Sequence, residues 1–180
     1  MRALVLAFLV LAACARNTSR HDMPMGASAT ARAALPSAYG REVEEGYARV
    51  RTATAAYRVL DSAVAKGYPA SVPQCLADST HGAMGYHHVN RSYVDNRIEL
   101  EKPEILLYER KADGSYGLNG VEYIIPYRVW PKDSVPPKLM GRDMFKSEPL
   151  QLWYTHMWVW TPNAAGLFAD WNPAVKCRSS

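Results

Sequence analysis

The hydrophobic pattern of this chain changes period at Cys75, and that change confines it to folds that pack a helix against a sheet. From Arg41 to Lys66 the residues Val43, Tyr47, Val50, Thr54, Tyr57, Leu60 and Val64 recur at three- and four-residue steps, which places them on one helical face. Glu42, Glu44 and Glu45 stand in the first turns, where carboxylates favour the helix dipole, and Gly67 followed by Pro69 stops the helix. The opposite face carries Arg41, Arg49, Arg51, Asp61 and Lys66. Such a mixed-charge face behind a tyrosine-bearing stripe suits packing on a sheet better than lying on a membrane.

Past Cys75 the chain breaks into short β-rich runs separated by turn signals, at about 84–90, 104–110, 118–129 and 151–160, a spacing that argues an antiparallel sheet. Asp113-Gly114 marks a hairpin between the second and third runs, and Pro126 requires an edge or a bulge where it falls. Residues 131–149, rich in Pro, Lys, Asp and Gly, are expected to form an ordered loop or lid. All five tryptophans (Trp130, Trp153, Trp158, Trp160 and Trp171) lie in the last third, which therefore supplies much of the bulk of a core or pocket. The expected fold is α+β: a long N-terminal amphipathic helix packed on a curved antiparallel β-sheet that approaches a barrel.

The N-terminus carries an address. Met1-Arg2, an apolar run from Ala3 to Leu11 and small residues before Cys14 define a secretory segment too short to span a bilayer. Leu11-Ala12-Ala13-Cys14 resembles the lipobox of bacterial lipoproteins. The resemblance implies cleavage before Cys14, acylation of that cysteine, and a place in the bacterial cell envelope, lipid-anchored at the outer membrane, the periplasmic side or the cell surface. The expected organisation is a signal peptide over 1–13, a lipidated tether over 14–39 and one domain over 40–180. Removing residues 1–13 from 180 leaves 167, enough for a single core. His21, Met23 and Met25 alternate within the tether as soft copper ligands would, although the surrounding small polar residues read as solvated linker. In an oxidising compartment Cys75 and Cys177 are expected to form a disulfide. The formal charge of +4 is spread among acids rather than clustered, so no nucleic-acid partner is indicated; the expected partners are the membrane, through Cys14, and a small ligand or an envelope protein.

Strand parity selects the residues that carry chemistry. In Met84 to Asn90, Gly85, His87 and Val89 share one face while Tyr86, His88 and Asn90 share the other, so the two histidines point opposite ways. Tyr154, His156, Trp158 and Trp160 fall together on one face of the last run, with Tyr154, Trp158 and Trp160 as the apolar wall of a ligand pocket. Glu122 lies opposite Val121, Tyr123 and Ile125. If the sheet curls, His87, Glu122 and His156 converge as two imidazoles and a carboxylate, a common set for a divalent metal such as zinc, copper or manganese. The same residues also fit a hydrogen-bonded core histidine, a satisfied strand histidine and a surface acid, because no His-x-His or His-Glu-x-x-His spacing fixes ligands locally. No Gly-x-Ser-x-Gly elbow and no Gly-rich phosphate loop is present.

Five segments carry a family resemblance: Gly82-Ala83-Met84-Gly85-Tyr86-His87, Lys102-Pro103-Glu104-Ile105-Leu106-Leu107-Tyr108-Glu109, Val121-Glu122-Tyr123, His156-Met157-Trp158-Val159-Trp160, and Asn163 through Trp171-Asn172-Pro173. Together they resemble a family of bacterial exported proteins and lipoproteins that has no assigned activity. The resemblance covers Cys75 to Cys177, implies that His87 rather than His88 is the functional imidazole, and makes Glu122 and His156 part of the motif set. The expected role is a binding module with a His/Glu pocket. The alternatives are an envelope hydrolase whose metal activates water at that site, and a structural or assembly module without a ligand.

Overall fold

The computed structural model describes residues 35–178. The signal segment 1–13, Cys14, and His21, Met23 and Met25 of the tether lie outside the described residues. Among the described residues no helix is long and apolar enough to cross a membrane.

The helical region is shorter than its periodicity suggests. Helix α1 (Arg41–Thr54) buries Val43, Gly46, Val50 and Thr54, continues as a 3-10 turn over Ala55–Arg58, and gives way at Val59, which is extended (φ −98°, ψ 115°), before a short helix α2 (Leu60–Val64). The single long helix over 41–66 is thus broken. The cause is a tertiary hydrogen bond: the Tyr108 hydroxyl donates to the Tyr57 carbonyl at 2.5 Å, taking the acceptor that a continuing helix would offer to Asp61. The stop falls where Gly67 indicates. Gly67 adopts φ +94° and donates to the Val64 carbonyl, while Tyr68 donates to Ala63, the paired bonds of a Schellman cap.

Six strands form one curled antiparallel sheet, a half-barrel in the order β1 (Cys75–Asp78), β2 (Gly82–Val89), β3 (Ile105–Arg110), β4 (Tyr116–Pro126), β8 (Leu152–Met157) and β7 (Phe145–Ser147). The segment 131–149, expected as a loop or lid, instead contributes β7 and a small hairpin of β5 (Lys138–Leu139) and β6 (Arg142–Asp143), and it buries Leu139, Met140 and Met144 in the core. The β3–β4 hairpin turns through Lys111–Ser115, with Gly114 at φ +83°, and Pro126 is the last residue of β4.

Alternation along the strands divides the core in two. Leu106, Tyr108, Val121, Tyr123, Ile125, Trp153 and Met157 face the helix and pack with Val43 and Val50; each fully buried aliphatic side chain of this kind contributes about 1.5–3 kcal/mol. Ile105, Leu107, Ile124 and Trp158 face the other way, with Ala83 and Val175. The C-terminal stretch crosses this side and is secured at its end by the Cys75–Cys177 disulfide, whose Cα atoms are 5.6 Å apart, and by a bridge between Ala83 and Asn172. Two bulges shape the sheet. One leaves Met84 without a partner in β1 beside Gly85 (φ +92°), where a Cβ would lie 2.3 Å from the Tyr108 carbonyl oxygen. The other leaves Asn119 unpaired with β3.

Candidate metal centre

Three strands supply the centre. Glu122 on β4 stands directly opposite His156 on β8, and His87 enters from β2 across the curl. Glu122 Oε2 is 3.5 Å from His87 Nε2 and Glu122 Oε1 is 3.7 Å from His156 Nε2. One donor atom from each of the three residues lies within 4.8 Å of the others. Two donors about 2.1 Å from a tetrahedral ion stand roughly 3.4 Å apart, so the set needs only a small closure to grip one. The two imidazole rings meet edge to face with centroids 6.1 Å apart.

Glu122 Oε2 and His156 Nε2 of this set are buried with no hydrogen-bond partner among the described residues, and on His87 it is the second ring nitrogen, Nδ1, that has none. A buried polar atom left so costs roughly 1–3 kcal/mol, and more if charged, unless something else satisfies it. The donor set of two imidazoles and a carboxylate is one that zinc, copper and manganese accept.

Charge is arranged to match. Burial, reinforced by the nearby His156, pushes His87 down to about 4, so its ring is neutral at pH 7 and keeps a lone pair to give. Burial pushes the Glu122 carboxyl up, with Asp170 adding to the effect and His156 opposing it. Burial also works against a charged His156, yet Glu122 and Asp170 outweigh it and raise that ring, which means the site favours a positive charge between the two acids. Its hydrogen bond to His156 in turn holds Asp170 below the usual carboxylate range.

Asp170 is the residue the sequence motifs did not identify as functional. Its Oδ1 lies 3.3 Å from His156 Nδ1 and its Oδ2 accepts from the Tyr154 hydroxyl at 3.1 Å. A carboxylate on Nδ1 turns Nε2 of the same ring toward a metal, the common outer support of a ligating histidine. Trp158 holds this arrangement from below: its ring lies nearly parallel to His156 (20°), and its Nε1 donates to the Ala169 carbonyl at 2.6 Å, next to Asp170. No local spacing joins Asp170 to His156, fourteen residues earlier.

A cleft of about 530 Å³ opens over the three ligands. Tyr154 lines it as expected, whereas Trp158 is buried behind His156. Trp160 is on the opposite side of the sheet. The Asn119 carbonyl, freed by its bulge, accepts the backbone N–H groups of both Trp160 and Thr161, which breaks the alternation after Val159. The indole of Trp160 then lies under Arg51 and Arg58 and donates to Thr54 Oγ1 at 3.1 Å. His88 points to the helical side as parity requires, with Nδ1–H donating to the Pro69 carbonyl at 2.6 Å and its ring against Tyr108. No known protein family, curated protein or solved structure matches this chain. Its function is therefore read from the site itself.

Proposed function

We propose that this chain is a lipid-anchored protein of the bacterial envelope whose half-barrel binds a divalent metal ion through His87, Glu122 and His156, with Asp170 supporting His156. The observation that supports the reading is the convergence of His87, Glu122 and His156, of which Glu122 Oε2 and His156 Nε2 are buried without a hydrogen-bond partner among the described residues. The lipobox-like tetrad before Cys14 and the Cys75–Cys177 disulfide support the location, since disulfides persist in oxidising compartments. Elemental analysis of the purified protein, beside a His87→Ala/His156→Ala double variant, tests the site. One metal per chain that disappears in the variant is the expected result; the same metal content in both proteins overturns it.

A second reading draws on the cleft. Three protein ligands would leave a fourth position of a bound ion for water, and the cleft that His87, Glu122 and His156 line would admit a substrate to it. On this reading metal-dependent turnover of an activated ester, absent in the double variant, is expected.

A further inference from the structure

The cleft over the three ligands is chemically one-sided. Leu76, Met84, Val89, Ile124, Leu150 and Leu152 form most of its walls, and the polar groups among the other lining side chains are the hydroxyls of Ser147 and Tyr154 and the indole N–H of Trp171, besides the three residues of the floor. The Tyr154 hydroxyl is already committed to Asp170. Charged or ligating groups are confined to the floor, where His87, Glu122 and His156 meet. Leu150, at 69 % exposure, leaves a large aliphatic side chain facing solvent beside this cleft. The volume falls within the roughly 300–1,000 Å³ of small-molecule sites, whose usual design is apolar walls with a few convergent polar groups.

A ligand complementary to this shape has one polar end and an apolar body. We propose that the cleft binds a free, single-chain carboxylic acid, with the carboxylate on the open coordination position of the metal and the hydrocarbon tail along the aliphatic walls. This rests on the metal reading above. An anionic head suits the site because a divalent ion held by two neutral imidazoles and one carboxylate would keep a net positive charge. A carboxylate is ionised at neutral pH and an oxygen donor suited to that charge. A sugar or a nucleotide would bring many hydroxyls or phosphates against Leu76, Val89 and Ile124, where nothing receives them.

Titration calorimetry of the zinc-loaded, purified protein with butanoate, hexanoate and octanoate tests the proposal, with 1-octanol as the headless control. Each methylene transferred to an apolar wall strengthens binding about three- to fourfold, so octanoate is expected to bind on the order of 100-fold more tightly than butanoate. Octanol is expected to bind much more weakly than octanoate. Leu150→Glu, an exposed position whose change leaves the fold intact, is expected to weaken octanoate at least tenfold and to keep one zinc per chain. An acyl tail is also what a bilayer offers, and phosphatidylcholine vesicles provide that comparison: the free-acid proposal expects no competition from them. Equal affinity across the acid series, octanol binding as tightly as octanoate, or displacement of octanoate by vesicles each overturns the proposal while zinc stoichiometry leaves the metal reading standing. Failure of the wild-type protein to hold zinc, copper or manganese overturns both.

Discussion

Glu122 and His156 face each other across the β4–β8 ladder, and the Glu122 carboxylate reaches past its partner to His87 on β2, so one acid joins two imidazoles from opposite sides. Glu122→Gln keeps the shape of this bridge and removes its charge. We expect zinc stoichiometry to fall from near one to near zero while far-ultraviolet circular dichroism is unchanged. Retention of stoichiometric zinc would remove Glu122 from the ligand set.

Asp170 would act on a bound metal through His156 Nδ1. Asp170→Asn is expected to weaken zinc roughly 10- to 100-fold, the usual effect of losing a carboxylate behind a ligating histidine. Competition with a chromogenic chelator measures it. Tyr154→Phe, which removes the second hydrogen bond to Asp170, is expected to produce a smaller loss in the same direction.

Glu104 is buried, with Oε2 accepting from the Ile124 amide at 3.2 Å. Burial outweighs that hydrogen bond and raises its carboxyl from an ordinary 4.5 to about 8. The folded state therefore holds this proton more tightly than the unfolded chain, and stability falls as pH rises from about 4.5 to 8, by roughly 3–5 kcal/mol from this group alone. Glu104→Gln preserves the acceptor and removes the titration. Denaturant unfolding at pH 5 and pH 8 is expected to show little difference between the two proteins at the lower pH and a more stable variant at the higher.

The disulfide closes a separation of 102 residues, for which chain-entropy reasoning gives roughly 4–5 kcal/mol before strain. Cys75→Ser/Cys177→Ser is expected to lose about 2–5 kcal/mol in urea unfolding. Because the tether it removes also holds the stretch bearing Asp170, zinc affinity is expected to fall with it, even under conditions where the variant remains folded.

Gly85 combines φ +92° with close approach to the Tyr108 carbonyl, two residues before His87. A methyl group there meets backbone rather than a flexible side chain. Gly85→Ala is expected to cost at least about 2 kcal/mol and to impair zinc binding, because the bulge that aims β2 cannot keep its geometry. Thermal unfolding and metal content of the same preparation check both effects.

Much of this was legible where the governing interaction is local. Gly67 stops the helical region through its own cap; the four β-rich runs become β2, β3, β4 and β8; and alternation within β2 sends His87 and His88 to opposite faces. It fails where a distant group intervenes. The helix breaks because Tyr108 takes the carbonyl of Tyr57, 51 residues away, and Trp160 changes sides because Asn119 captures its amide. Asp170 reaches His156 only because the tail folds back over the face of the sheet away from the helix. Neither the bulge at Asn119 nor the burial of Glu104 has a signature in periodicity, since both depend on which strand lies next to which.

The two ends of the domain are fastened to each other. Tyr39 meets Phe168 edge to face, the Tyr47 hydroxyl donates to the Val159 carbonyl, and Trp160 donates to Thr54. Synthesis proceeds from one end, so the first helix of the domain is made long before the stretch that covers it. The growing chain has no finished hydrophobic layer on which to settle until its closing residues appear, and Asp170 is among them. A delay in the last-made part of the domain is therefore also a delay for the site of His87, Glu122 and His156, whose supporting acid, Asp170, arrives with it.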